Sequence, residues 1–379
     1  MAAMPMDLVI DILLRLPVKS LLRFRCVSKS FRSEIDSADF VNTHVNRSIQ
    51  SRTGQKLIVS SSSSCNSPTD FYAADFEDDL KAAFLLNNPL KSQHGSNMVC
   101  GSCNGLILLG MLSNSRFRRT EHAIWNPFTR RYKKVPICPV QTLPGYGWYV
   151  NIGLGYDSAH DDYKIIMISQ VVESNHVSYP VWLFSLKSSS WRRSQDFLLE
   201  LRNGSREIAG RFANGALYWD GSDGIVGFDI ANEVFFMIQK SSGCLVVLGG
   251  NLYIPVPRAE DKDVDFYLYA SDKGGEVASG SWRKEFTVEE EVLSRYNILR
   301  LWPLAYSKDG DSILLLSKEN GFVWYNFENK TRQRVEIPGM PKVMLEDPTK
   351  KHCVNLESLV SVGNDSAFDG AAEEVILDD

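Results

Sequence analysis

The sequence predicts an α+β chain in which a small N-terminal three-helix module precedes an all-β propeller of six blades. Two observations predict it. Residues 5–40 carry apolar residues at helical spacing between helix-start and helix-stop signals. Beyond residue 98, short β-type runs alternate with Asn, Asp and Gly turns, and all eight tryptophans lie from Trp125 onward. Four strands recurring about every 40 to 60 residues is the period of a propeller blade. A sandwich does not repeat in this way.

The first helix is more apolar than one packed only on its own domain. With Leu8 at zero and about 100° per residue, Val9, Ile10, Ile12, Leu13, Leu14 and Leu16 fill an arc of roughly 240°. Asp11 and Arg15, an i,i+4 pair, are left for water. A helix burying one face needs a stripe little wider than about 100°, so the second apolar face calls for another protein. Pro5 and Asp7 suit the first turn, and Pro17 ends this helix and starts the next, which carries Val18, Leu21, Leu22 and Phe24. Ser28 is placed to cap a third helix through Phe31 and Ile35. Three helices in about 40 residues bury too little to stand alone, so a partner is expected to complete their core.

The run from Pro5-Met-Asp-Leu-Val9 through Arg15-Leu-Pro17, then Lys19-Ser-Leu-Leu-Arg-Phe-Arg-Cys-Val-Ser-Lys29 and Phe40, resembles an F-box, with Phe31 where that family usually has Trp. The resemblance implies docking on a Skp-type adaptor and, through it, a cullin-based ubiquitin ligase. The residues it assigns to that contact are Pro5, Leu8, Val9, Ile12, Leu13, Leu16, Pro17, Leu21, Leu22 and Val27.

Composition narrows the alternatives. With 44% hydrophobic and 23% charged residues in 379, the chain can bury a sizeable core. A net charge of -5 offers no basic field for nucleic acid, and no apolar run reaches the roughly 18 residues of a membrane span. Seven scattered cysteines read as reduced thiols, placing the chain in the cytoplasm or nucleus. The sequons at Asn46, Asn203 and Asn329 are then accidental.

Along the chain, the expected domains are the helical module at 1–45, a linker with first blade strands at 46–97, the propeller at 98–362 and an acidic tail at 363–379. Helical character fades after His44 and Val45. Leu57 to Val59 and Phe71 to Phe76 flank a Ser-rich loop as a first hairpin, and 75–86 reads equally as helix or strand. Five blades follow between Met98 and Ile337. Each opens with a hairpin at Asn104-Gly105, His160-Asp161-Asp162, Asn214-Gly215, Gly250-Asn251 or Asp309-Gly310-Asp311. The third strands are 123–126, 181–185, 225–229, 266–271 and 322–326, and the fourth are 132–135, 191–194, 234–238, 282–286 and 333–337. The hairpin near Leu57 and Phe71, joined by strands around Val354 to Val362, makes a sixth blade from both chain ends and closes the ring.

The motifs Ser102-Cys-Asn-Gly105, Trp125-Asn-Pro-Phe-Thr-Arg130, Gly153-Leu-Gly-Tyr-Asp157, Ser190-Trp-Arg192, Asn214-Gly-Ala-Leu-Tyr-Trp219, Phe228-Asp229 and Glu357-Ser-Leu-Val360 resemble, in this order, the F-box-associated interaction domain of plant F-box proteins. In texture the chain is similar to the F-box and kelch-repeat type, of which some members act in defence signalling and others in pollen recognition. Gly249-Gly250 and Gly274-Gly275 are faintly kelch-like.

The residue chemistry points to binding. Asn126 and Asp229 sit where strands turn and are suited to accept from turn amides. Tryptophans at strand positions suit inter-blade core. Tyr146, Trp148 and Tyr149 lie in an aromatic loop between two blades and are the candidate target contacts, with 174–180 and 258–265 as further loops. Cys100-Gly-Ser-Cys103 is a lone CxxC without a second pair or spaced His, Gly153-Leu-Gly155 lacks a third glycine, and His160 with Asp161 and Asp162 is explained by a turn. No catalytic residue, metal site or cofactor is assigned. The expected function is a non-catalytic substrate receptor of an SCF-type ligase, whose propeller holds an unnamed target protein for ubiquitination and degradation. The alternatives are a glycan-binding or scaffold propeller and a propeller glycosidase with an attached F-box.

Overall fold

A computed structural model of the chain describes residues 5–62, 67–92, 95–113, 121–142, 146–173, 176–197, 207–221, 224–239, 244–258, 263–271, 280–289, 301–317, 321–341 and 352–363. Helices come first: α1 (Met6–Leu13), α2 (Val18–Phe24), α3 (Lys29–Ile35) and α4 (Ala38–Ser51). Pro5 and Pro17 precede α1 and α2 in extended conformation, as a residue that lacks an N–H and fixes φ should. The Ser28 and Ser37 hydroxyls each accept from the amide three residues on, at 3.1 Å, and so start α3 and α4.

The fourth helix departs from the expectation of fading at Val45, and the boundary expected there falls inside it. Its buried stripe is Phe40, His44, Val45 and Ser48. That is helical spacing, but two of the four residues are polar and weaken the sequence signal. His44 Nε2–H donates to the Leu16 carbonyl at 3.0 Å, which explains a buried imidazole at that position.

Strands then arrange in six sheets. Blade I holds β1 (Gln55–Ser61), β2 (Asp70–Asp75) and β3 (Ala83–Leu86); blade II holds β4 (Gly95–Cys103), β5 (Leu106–Ser113), β6 (Glu121–Asn126) and β7 (Arg131–Val135). In blade III, β8 (Tyr146–Asp157), β9 (Asp162–Glu173), β11 (Pro180–Ser185) and β12 (Ser190–Asp196) pair in that order, with β10 (His176–Ser178) on β9 and β13 (Glu207–Ala209) parallel on β8. Blade IV is β14 (Arg211–Ala213), β15 (Ala216–Asp220), β16 (Ile225–Asp229) and β17 (Val234–Ile238). Blade V is β18 (Val246–Leu248), β19 (Asn251–Pro257), β20 (Val264–Ser271) and β21 (Gly280–Val288); blade VI is β22 (Leu301–Tyr306), β23 (Ser312–Ser317), β24 (Gly321–Asn326) and β25 (Arg332–Val335). The ambiguous stretch 75–86 resolves into a turn followed by strand β3.

The last strand, β26 (His352–Leu356), pairs antiparallel with β1, from Gln55 opposite Leu356 to Val59 opposite His352. Blade I is thereby built from both ends of the chain, and the ring closes. The strand ends at Leu356, short of the expected 362, because the next residues have other partners. Asn126 Nδ2 donates to the Ser358 and Val360 carbonyls at 3.0 and 2.9 Å. Val360 and Val362 bury in the core between blades II and III, while Leu359 packs on the helical module beside Leu13, Leu21, Ile35 and Phe40. Val41 and Val45 of α4 enter the same propeller core. The partner expected to complete the helical core is therefore supplied in part by the chain's own C-terminal segment.

Tryptophans pack between blades, Trp125 of blade II against Phe71 of blade I and Trp219 of blade IV in a core with Ile166 and Leu183 of blade III. Trp125 and Trp219 are fully buried, and the indole N–H groups of Trp191 and Trp282 donate to carbonyls in the preceding blade, those of Pro136 and Gln239. Gly153 has a packing reason: a Cβ there would lie 2.8 Å from a Leu217 methyl of blade IV.

Candidate interaction surfaces

Two kinds of surface come from one chain. On the helical module, Leu8 and Ile12, one turn apart on α1, are 57% and 49% exposed. Val27 is 65% exposed, and Pro5, Met6, Pro17 and Phe24 are also open to solvent. Val9, Leu16 and Leu22 are half-buried. Leu13 and Leu21 are 3% and 0% exposed and form the module's own core, so they hold the helices rather than present a surface. α1 thus has two apolar faces, one spent internally and one open.

Its polar edge is fixed as well. Arg15 bonds Asp11 at 2.7 Å and Arg47 of α4 bonds it at 3.2 Å. The Arg15 hydrogen bond, with help from Arg47, keeps the Asp11 carboxyl below its ordinary range. Asp11 thus links the polar edge of α1 to Arg47 of α4.

On the propeller, the motif residues mostly build turns. The Asn126 side-chain oxygen accepts from the amides of Phe128 and Thr129, Asp229 from Ala231 and Asn232, and Asn326 from Glu328 and Asn329, each at 2.9 to 3.2 Å. In each case the residue four positions after the turn acid or amide is left-handed: Arg130, Glu233 and Lys330. Asp157 does the same for Ala159 and His160 and also bonds His160 Nδ1 at 2.8 Å and Lys164 at 2.7 Å. Burial pushes the Asp157 carboxyl up, but the bonds from Lys164 and His160 outweigh it and hold the carboxyl low. Asp162 accepts from the Ser185 hydroxyl at 2.6 Å and the Lys187 amide at 3.0 Å, so the His160-Asp161-Asp162 turn is a structural cluster.

Cys100 and Cys103 are both buried thiols outside any disulfide, packed in the core of blades II and III. Burial pushes the Cys103 thiol well above its ordinary range, the opposite of an activated thiolate.

The candidate target contacts fall differently from expectation. Tyr146, Trp148 and Tyr149 belong to strand β8 and not to a loop, because β9 is long enough to pair as far as Val171 opposite Tyr146. Their side chains lie outside the described atoms, as do residues 174–175 and 259–262 of the two further candidate loops. Topology places the strand ends that flank these segments. Strands alternate direction within a blade, so the 4–1 connection before β8 and the 2–3 connections after β9 and β19 leave from the end opposite the 1–2 hairpins. The helical module sits at the 1–2 hairpin end, where Asn42 of α4 bonds Asp161 at 3.3 Å. The helical module and these strand ends lie at opposite ends of the ring.

The arrangement has relatives. A family model described as F-box domain matches residues 1–43, and one described as F-box associated beta propeller domain matches residues 49–359. F-box protein CPR1 of Arabidopsis thaliana is 31% identical, over 90% of this chain and 86% of its own length. A second F-box protein of Arabidopsis thaliana is 27% identical over 87% and 85% of the two chains. An F-box/kelch-repeat protein of the same plant is 24% identical over 66% and 70%.

Proposed function

The chain belongs to the F-box proteins that carry an F-box associated beta propeller domain, and from that premise we propose that it is the substrate receptor of an SCF-type ubiquitin ligase. The observation that carries this reading is the open apolar face of α1 and its surroundings, Leu8, Ile12 and Val27. Such a patch on an otherwise packed module marks a protein interaction site. A Skp-type adaptor covers it, with Pro5, Val9, Leu16, Pro17 and Leu22 at the margin, and Leu13 and Leu21 keep the helices in register beneath. A cullin joins through the adaptor.

The propeller holds the target protein. Catalysis by this subunit is proximity: two sites on one framework raise the local concentration of target lysines at the conjugating enzyme, and no acid, base or nucleophile of this chain takes part. The C-terminal segment and α4 make that framework stiff, since both contact module and propeller. The reading places the chain in the cytoplasm or nucleus, where its cysteines stay reduced.

Affinity purification of the intact chain and of residues 50–379 from plant cells, with a proteasome inhibitor, tests it. Adaptor and cullin should appear with the intact chain alone. Their absence from the intact-chain sample overturns the reading.

A further inference from the structure

A cleft of about 840 Å³ opens between blades V and VI, within the roughly 300–1,000 Å³ range of ligand pockets. Its floor is aromatic. Phe286 of β21 sits 5.0 Å from Phe327 and 6.4 Å from Tyr306 between ring centroids, and the Tyr253 and Tyr306 hydroxyls meet at 3.1 Å. Phe286, Tyr306 and Phe327 all keep part of their surface open. The rings are inclined at 51 to 73° to one another, so this partly exposed floor offers both faces and edges to another aromatic ring.

Charge decides what accompanies that ring. The acids in and around the rim are matched by cations: Asp263 and Asp265 share Arg258, at 3.8 and 3.1 Å, with Lys284 also on Asp265 at 2.8 Å, Glu285 pairs with Arg283 at 3.0 Å, and Glu289 with Lys330. Arg52 is different. Its guanidinium lies 4.9 Å over the Tyr306 ring, and among the described residues no carboxylate pairs with it. The side chain is also placed with care. Arg52 is the left-handed C-cap of α4, φ 55°, and Gly310 leaves it room, since a Cβ there would lie 2.7 Å from Arg52 Nη1. After the internal pairs are matched, the cleft retains one uncompensated positive charge beside an aromatic floor.

We infer that this cleft binds a peptide segment of the target in which an aromatic side chain neighbours a carboxylate, the ring lying on Phe286 and Phe327 and the carboxylate on Arg52. This deepens the receptor reading and rests on it. The carboxylate gains a two-pronged partner already desolvated on one face by Tyr306, which favours Arg over a point charge. Because Arg52 terminates the helix that joins the module to the propeller, the carboxylate end of the bound segment lies at that junction.

Fluorescence polarisation with the full chain and fluorescein-labelled Gly/Ser decapeptides carrying a central Asp-Phe, Asn-Phe or Asp-Ala tests the assignment. Asp-Phe should bind, with Asn-Phe and Asp-Ala about tenfold weaker or worse. Arg52→Gln should bind Asp-Phe no better than Asn-Phe and leave Asn-Phe unchanged, and Arg52→Lys should recover part of the loss. Equal affinity for the three peptides, wild-type binding by Arg52→Gln, or no binding by any peptide overturns the inference. Thermal melting of each variant checks that it is folded. Adaptor co-purification, scored on the same proteins, reports on the receptor reading separately.

Discussion

The helical module and the propeller bury their apolar surface by different rules. Four of the six outer strands, β7, β12, β21 and β25, carry Arg or Lys, which protects a sheet edge from pairing, and β26 covers the edge of β1 to complete the sixth sheet. The module does the reverse, leaving Leu8, Ile12 and Val27 in water while its interior borrows Leu359 from the C-terminus. A unit that is complete needs no partner to be stable. A unit left open on one side is shaped for one.

The contrast can be broken most severely at the closure. Deleting residues 352–379 removes β26 and the segment that touches both units, and should abolish the cooperative thermal transition seen by circular dichroism. A retained transition would mean the ring does not depend on that strand. Next in size, Leu21→Ala should cost about 3 kcal/mol of module stability through the cavity it leaves, read by hydrogen exchange in residues 6–51, with the propeller amides unaffected. Leu8→Asp should lose adaptor binding with no such cost, which separates the buried face from the open one.

Asn126→Ala should cost about 2 kcal/mol, since it strips two turn amides and two C-terminal carbonyls of a buried partner. Asp229→Ala, which serves its own turn alone, should cost less in the same urea titration. The smallest effect is a pH dependence. The Asp157 carboxyl is held low in the folded chain, so its contribution is fully present above its unfolded value of about 4 and is lost as pH falls through the folded value. The stability gap between wild type and Asp157→Asn should therefore narrow as pH drops below about 4.

Much of this was legible from the sequence because it is local. The double apolar face of α1, the Ser28 cap, five hairpin turns and the strands behind them follow from residues within a few positions of one another. The sixth blade was legible too, since closing the ring needs strands from both ends. What escaped was set by distant partners. α4 runs to Ser51 because His44 finds the Leu16 carbonyl and Val45 finds the propeller core. Tyr146 to Tyr149 extend β8 because β9 outruns its own motif. Leu13 and Leu21 look equivalent to Leu8 in sequence, and only the packing of Ile35, Phe40 and Leu359 assigns them to the interior. Arg52 gives no sequence signal at all; its significance depends on Tyr306 and Gly310.

The most direct measurement compares two apolar patches on the same chain for binding to a purified Skp-type adaptor by calorimetry. One variant is Leu8→Asp with Ile12→Asp on the module; the other is Phe84→Asp with Leu85→Asp on β3, the exposed edge of blade I. The receptor account predicts loss of binding in the first and wild-type affinity in the second, with both melting like wild type. Undiminished binding by the module variant, or no binding by the wild-type chain, would contradict it.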